Sequence, residues 1–199
     1  MDDVGNDCLL QVDGTDCKTQ NQGVSHKSFY SFKFNHGGLR YEVGLCIRTG
    51  HIVWINGPFP PGDWPDVEVF RSSLKLNIDE NERVETDDGY IGEDPCFTKC
   101  PGGVRFMEGQ QWHDKRSKVR NRGETANHRL KTFKVLQGTF RHDIEKHSMC
   151  FRACAVFAQL SFEVGSKNLF HVPGYNQEWT DGTTAAILPE PSGDDDDEL

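Results

Sequence analysis

Hydrophobic residues cluster in four short segments in the first half of the chain. These segments are rich in Val, Ile, Leu and Tyr, which favour β-strands, and they span residues 8–13, 39–48, 51–56 and 83–86. Thr49-Gly50 separates the second segment from the third and is typical of a tight turn, so these two segments predict a β-hairpin. The run Gly-Pro-Phe-Pro-Pro-Gly at 57–62 is expected to end the hairpin, since proline cannot continue a sheet ladder.

Helical periodicity is found in three segments, 66–74, 114–136 and 144–164. In the first, Val67, Phe70 and Leu74 recur on one face, and Asp66 stands where an N-cap is expected. The last is largely apolar. The order of strand, hairpin, helix, strand and helices predicts an α/β fold, a mixed sheet with helices on its faces.

The length and composition of the chain predict a single folded domain. A chain of 199 residues with 35% hydrophobic and 11% aromatic residues can bury a core, and we expect one domain over 1–165. Residues 166–199 are expected to be an irregular segment followed by a disordered acidic tail. Six acids and no Lys or Arg follow Thr184, and removing these six charges from the net charge of −9 leaves −3. No apolar run approaches 18 residues, so no membrane span is expected.

A basic run surrounds one acid in the long helical segment. Residues 115–134 contain eight Lys or Arg, and Glu124 is their only acidic neighbour. A solvated helix usually interleaves both signs to gain i,i+4 ion pairs, whereas this run favours a polyanionic partner. The candidates for phosphate contacts are Lys118, Arg120, Arg122, Arg129 and Lys131. Each of them is equally compatible with a solvated charge.

Three acids occupy positions from which they could meet. Asp13 ends the first predicted strand, Asp87 ends the strand at 83–86, and Glu124 lies on the basic helix. Two strand ends and a helix packed across them would bring three carboxylates together, which repel one another unless divalent cations are bound. Oxygen-only ligands select Mg²⁺ or Mn²⁺. A pair of such ions would activate a water molecule and stabilise the leaving oxygen in phosphodiester cleavage.

Each acid also has a plainer interpretation, and for Glu124 it is an ordinary helix-surface pair with His128 at i+4. Asp13-Gly14 and Asp87-Asp88-Gly89 are turn signals in their own right. Asp66 fits a helix cap and is kept as the alternative second metal ligand.

The cysteines leave a further alternative open. Seven cysteines include two pairs with one spacing, Cys96 with Cys100 and Cys150 with Cys154. Four thiolates could hold a structural zinc ion, which would make the chain an interaction module. Cys150 and Cys154 lie in an apolar run, where buried thiols are the plainer expectation.

Five segments together resemble the catalytic domain of acidic-triad (DDE-type) transposases of the Harbinger group. They occur in the family's order and extend, with the following helix, over about 12–164. The segments are 12–16 (Val-Asp-Gly-Thr-Asp), 57–71, 87–90 (Asp-Asp-Gly-Tyr), 120–131 with its Glu followed by Leu-Lys, and 133–142.

The resemblance implies an RNase H-like fold that cuts and joins DNA with two Mg²⁺ or Mn²⁺ ions in the nucleus. Asp13 matches the first carboxylate, Asp87 the second and Glu124 the third, while Asp66 also matches a family position. The family's DNA-binding helix-turn-helix region is not found before Asp13, so we expect a separate DNA-binding protein to supply target recognition. The alternative is an inactive or domesticated derivative that binds DNA or protein without cleaving.

Overall fold

The computed structural model describes residues 8–20, 27–47, 49–79, 82–87, 90 and 107–165. For 8, 9, 83, 107–118, 162, 163 and 165 it describes the backbone alone. Within these residues the fold is a mixed five-stranded sheet flanked by helices, which confirms the α/β class expected from the order of the segments. The acidic tail and Asp88, Cys96 and Cys100 lie outside the described residues.

The sheet joins an antiparallel group of strands to one parallel strand. Its strands are β1 (Cys8–Lys18), β2 (Tyr30–Ser31), β3 (His36–Cys46), β4 (Ile52–Phe59) and β5 (Arg83–Glu85). β3 pairs antiparallel with β1 on one side and with β2 and β4 on the other, and β5 pairs parallel with β1. The strand order is therefore β4-β3-β1-β5, with β2 beside the start of β3.

The first strand runs further than the sequence predicts. Asp13 does not end β1, because the strand continues through Gly14 to Lys18 and pairs with β3 from Leu10 to Lys18. Asp13 is opposite Val43, and Gly14 is opposite Glu42. Nine ladder positions with β3 outweigh the local turn preference of Asp-Gly.

The fourth strand also passes its expected end. β4 includes Gly57 and Pro58 and ends at Phe59. Pro58 is exposed on a strand that pairs only with β3 among the described residues, which is an edge position where a missing N–H is tolerated. Gly57 has φ +125°, and a Cβ there would meet the Arg40 carbonyl, so the chain needs glycine at this position.

The helices lie on both faces of the sheet. They are α1 (Asp66–Ser72), α2 (Met107–Leu130), the short α3 (Lys134–Gln137) and α4 (Ile144–Gly165). The helix predicted at 114–136 is thus two helices with a turn at 131–133. In the part of the chain that the structure describes, none of the helices could span a membrane.

Strand alternation divides the core into two clusters. Every second residue of a strand faces the same side, so each face has its own apolar set. On the side of the sheet that α1 covers, the buried residues are Leu10, Val12, Phe70, Leu74, Val84 and Tyr90. On the side that α2, α3 and α4 cover, they include Leu39, Tyr41, Val43, Leu45, Ala126, Leu130, Phe151 and Ala158. Side chains at Asp13 and Gln11 belong to the α2 face, and the position of Gly14 belongs to the α1 face.

Candidate active site

A small polar cavity opens between the sheet and α2. Its volume is about 50 Å³, enough for a cation with a few water molecules. The residues that line it are Gln11, Val12, Asp13, Asp87, Arg120 and Glu124. The three acids proposed from the sequence as a triad therefore border one cavity, although they come from three separate elements.

Parallel pairing of β1 with β5 places the two aspartates side by side. Gln11 on β1 is in register with Glu85 on β5. Asp13 and Asp87 each follow two residues later, so both stand beyond the last paired position of β5. The sequence placed Asp87 at a strand end, and its side chain is exposed there. Asp13 reaches the same place from within its strand.

Helix α2 brings Glu124 to the cavity because Gly123 lets it approach β1. A Cβ at Gly123 would collide with the side-chain amide of Gln11. Gly123 does not interrupt the helix, which is continuous over Met107–Leu130. The glycine thus costs some helix propensity and permits close contact between helix and strand. Glu124 follows directly and is exposed at the cavity.

Asp13 is half-buried and surrounded by other charges. Its Oδ2 accepts a 2.7 Å hydrogen bond from Asn127 Nδ2. Burial raises the pKa of Asp13, the Lys33 ammonium opposes that rise, and repulsion from Asp87 and Asp66 adds to it. Raised affinity for a proton at a group of like charges is typical of a site that gains from a bound cation.

Gln11 adds a neutral oxygen to the cavity wall. Its side chain is only 4% exposed. Its Oε1 has no hydrogen-bond partner within the described part of the chain. A buried amide oxygen without a donor costs about 1–3 kcal/mol. A cation or an ordered water in the cavity would relieve that cost, which makes Gln11 a candidate member of the site that its sequence position did not reveal.

The side chains that line the cavity offer the type of donor atom that a hard divalent cation prefers. Carboxylates of Asp13, Asp87 and Glu124 and the amide of Gln11 border the cavity, and no sulfur or imidazole joins them among its lining residues. Such a set suits Mg²⁺ or Mn²⁺. In the part of the chain that the structure describes, no group of three or more His, Cys, Asp or Glu is arranged closely enough to hold a metal ion. The carboxylates therefore border the cavity without closing on a common point.

Asp66 does not have the capping role expected of it. Helix α1 has Pro65 as its N-cap and no side-chain capping bond, and Asp66 is the first helical residue. The Asp66 carboxylate instead lies over Gly14, where any Cβ would collide with it. Lys33 Nζ is 3.9 Å from its Oδ2, and Arg40 Nη1 is 3.4 Å from its Oδ1. Burial raises the pKa of Asp66, and both cations oppose the rise.

Asp16 is occupied by a buried ion pair. Arg40 Nε donates to its Oδ1 at 2.8 Å, and Arg40 Nη2 donates to its Oδ2 at 3.0 Å. Ser31 donates a further hydrogen bond to Oδ2. Burial alone would raise the pKa of Asp16, but these bonds outweigh burial and lower it. Bidentate pairing with a buried arginine leaves this carboxylate a structural role.

Glu42 is a buried acid that the sequence did not single out. Its side chain is 1% exposed, and it faces α1 beside Gly14. Trp54 Nε1 donates a 2.8 Å hydrogen bond to its Oε2, while Oε1 has no partner among the described residues. Burial raises the pKa of Glu42 to about 7.

The basic side chains of α2 and of the turn after it lie in different environments, at the cavity, on the surface or in the interior. Arg120 lines the cavity, and Arg129 is exposed. Lys131 is half-buried just after the helix, and its charge acts on the buried Cys17 thiol. Arg122 is 7% exposed and donates a hydrogen bond to the Ile47 carbonyl, which joins α2 to the end of β3.

Lys118 lies on α2, and the structure describes only its backbone. Two of the five basic candidates are therefore placed for contact with a ligand, Arg120 at the cavity and Arg129 on the surface.

Of the four cysteines proposed for a structural zinc site, the structure describes two. Cys150 and Cys154 are free thiols on α4, and Cys154 is buried in the core that faces α2. Burial raises the pKa of Cys154, as expected for an apolar thiol. Their proposed zinc partners, Cys96 and Cys100, lie outside the described residues.

Comparison with protein-family models, curated proteins and solved structures gave no match to this chain. Function is therefore inferred from the side chains around the cavity and from the fold that places them.

Proposed function

We propose that this chain is the catalytic domain of a metal-dependent DNA endonuclease of DDE-transposase type. The observation that carries the proposal is the shared cavity of Asp13, Asp87 and Glu124, which come from β1, the end of β5 and α2. Residues 74 and 37 positions apart in the chain border a space of about 50 Å³. Gln11, whose buried amide oxygen has no hydrogen-bond partner within the described residues, lines the same space.

The strand arrangement supports an RNase H-like fold. Three long strands form an antiparallel group, and the next strand, β5, lies parallel beside β1. An RNase H-like sheet has this mixed character, with one acid on its first strand and another at the end of the neighbouring parallel strand. Asp13 and Asp87 occupy these two places, and the helix that carries Glu124 packs on the same face.

In the proposed reaction, Asp13, Asp87 and Glu124 would hold two Mg²⁺ or Mn²⁺ ions. Bound ions would lower the pKa of an attacking water and neutralise the leaving 3′ oxygen of a phosphodiester. Gln11 Oε1, which lines the cavity and has no partner among the described residues, would accept a hydrogen bond from a water bound there. Asn127 fixes the rotamer of Asp13 through its 2.7 Å hydrogen bond. Arg120 supplies a positive charge next to the phosphate that is cut.

In this proposal, repulsion between Asp13 and Asp87 keeps these two carboxylates apart while no cation is bound. Like charges move apart when no cation separates them, and Asp87 and Asp66 both raise the pKa of Asp13. A divalent ion would reverse the sign of the interaction and draw the exposed Asp87 and Glu124 inward.

DNA is the proposed substrate because cationic side chains accompany the acids along α2. Arg120 lines the cavity together with Glu124, and Arg129 follows Glu124 on the exposed surface of the same helix. These residues would contact phosphates without reading sequence. We also propose that the protein acts in the nucleus and that a separate DNA-binding protein selects the target.

Plasmid nicking tests this function. The purified chain should convert supercoiled plasmid to open circles with Mg²⁺ or Mn²⁺ and not with EDTA, and Glu124→Gln should abolish the conversion. Glu145→Gln, which removes an exposed acid from the first turn of α4, is the matched control and should nick like the parent.

Two results would count against an active nuclease. Plasmid that stays supercoiled with both metals, while the chain still binds DNA, favours the inactive or domesticated derivative. Equal nicking by the parent and Glu124→Gln would show a contaminant or a different site.

A further inference from the structure

Lys33 stands between the acids of the two sheet faces. It lies in the turn after β2, and its side chain is 45% exposed. Its ammonium donates a 2.7 Å hydrogen bond to the carbonyl of Gly14, the residue that follows Asp13. The same ammonium is 3.9 Å from Asp66 Oδ2. The Lys33 ammonium thus contacts both the backbone next to Asp13 and the Asp66 carboxylate.

Asp66 is kept on the side of β1 opposite to the cavity. Its carboxylate covers Gly14 on the α1 face, whereas the side chain of Asp13 faces α2 because neighbouring strand residues alternate. Arg40 holds Oδ1 from the sheet, and Lys33 approaches Oδ2 from the loop. Arg40 is itself committed to Asp16, so Lys33 is the cation that can be removed without breaking a buried pair.

We propose that Lys33 is a positioning residue that holds Asp66 away from the metal site, so that Asp87 is the second carboxylate ligand. This inference rests on the proposed metal site of Asp13, Asp87 and Glu124. Asp66 and Asp87 both match the sequence pattern for the second acid. Lys33 neutralises Asp66 on the far face of β1, and the carboxylate then has no electrostatic reason to turn toward a metal ion.

Removal of Lys33 should release Asp66. Its carboxylate would retain Arg40 at 3.4 Å but lose its second cation, and it would lie near Asp13 with a like charge. A divalent ion at Asp13 is the nearest charge that could compensate for that loss. Lys33→Met keeps the length and much of the apolar stem of the side chain while it removes the charge.

Mn²⁺ titration followed by electron paramagnetic resonance of the free ion tests the idea with four proteins. They are the parent, Asp66→Asn, Lys33→Met and the double variant. We expect Asp66→Asn alone to change Mn²⁺ affinity less than twofold, and Lys33→Met to tighten it about tenfold. Asp66→Asn should reverse that gain in the double variant, because the two substitutions are coupled.

Three controls make the outcome specific. Lys18→Met removes a charge from the same strand region, where Lys18 lies over the Phe34 ring, and should tighten Mn²⁺ binding less than Lys33→Met. Lys33→Arg should restore the affinity of the parent. Thermal unfolding checks that each variant is folded.

The inference is overturned if Asp66→Asn weakens Mn²⁺ binding in the parent, or if it acts equally in both backgrounds. An equal effect would mean that Lys33 acts only through its long-range charge. Failure of the proposed function gives a different result: the parent and Glu124→Gln would then bind Mn²⁺ equally weakly, and the inference would fall with it.

Discussion

Asn127 on α2 donates a 2.7 Å hydrogen bond to the Asp13 carboxylate on β1. Asn127 follows Glu124 by three residues, so one turn of α2 carries both the cavity acid and the amide that contacts its neighbour. This bond fixes the helix against the strand at the cavity. The separation of Asp13 and Glu124 therefore depends on a direct contact between the elements that carry them.

Replacement of Asn127 by Leu should raise the pKa of Asp13 further. The bond from Asn127 favours the charged carboxylate, and its loss leaves burial and the repulsion of Asp87 and Asp66 less opposed. The free energy of unfolding near neutral pH should fall by about 1.5–3 kcal/mol, as for a hydrogen bond to a charged group. Carboxyl carbon NMR titration and urea denaturation measure the two effects.

Asn121→Leu is the control for this variant, since Asn121 is an exposed residue of the same helix. It should leave the titration of Asp13 in place. A titration of Asp13 that is identical in Asn127→Leu and the parent would contradict the role given to the bond.

Gly123→Ala should destabilise the protein even though alanine is the better helix former. Alanine gains about 1 kcal/mol in an exposed helix, but its Cβ at this position would collide with Gln11. Overpacking at a buried contact costs about 1–3 kcal/mol, so a net loss is expected. Gln11→Ala should rescue Gly123→Ala in the double variant. If the double variant is no more stable than Gly123→Ala, the contact between the amide and the helix is not the cause.

The free energy of unfolding of Glu42→Gln, relative to that of the parent, should increase as the pH rises. The pKa of Glu42 is about 7 in the folded chain and 4.5 as an unperturbed group, so the folded protein retains a proton between these values. Stability from protonated Glu42 is thus present below about pH 4.5 and is lost as the pH rises to 7. Relative to the parent, the Gln variant should gain about 3 kcal/mol between pH 4.5 and 8, measured by urea denaturation.

Glu145→Gln serves again as the comparison, because it removes an exposed acid. Its stability should follow that of the parent across the same pH range. A constant difference between Glu42→Gln and the parent would show that Glu42 ionises freely in the folded chain.

Two arginines of the basic run should behave differently. Arg129→Gln should leave the melting temperature unchanged, weaken DNA binding and reduce the slope of log K against log salt by about 1. Arg122→Gln should lower the free energy of unfolding by about 2 kcal/mol, because it removes the donor to the buried Ile47 carbonyl. Fluorescence anisotropy at several salt concentrations and thermal melts separate the two. Equal salt slopes for the parent and Arg129→Gln would exclude Arg129 from phosphate contact.

The element order could be read from the sequence because hydrophobic period and turn residues are local properties. The hairpin of β3 and β4 and the helix starting at Asp66 follow from such patterns. The ends of strands could not be read in this way. β1 continues past Asp13-Gly14 because β3 pairs with it, and a partner 30 residues away is not visible in a turn preference.

The candidate site was predictable in its acids and not in their neighbours. Asp13, Asp87 and Glu124 stand out by type and position. Gln11 and Lys33 carry no such signal, because an amide in a strand and a lysine in a turn are common. Their significance comes from Gly123 and Asp66, which are distant in sequence and adjacent in the fold.

The position of Asp66 over Gly14 makes two residues 52 positions apart share one volume. In descendants of this sequence, a side chain at position 14 would be tolerated only together with a smaller residue at position 66. The two positions should therefore change as a pair, and a collection of diverged sequences would record the contact as covariation between them.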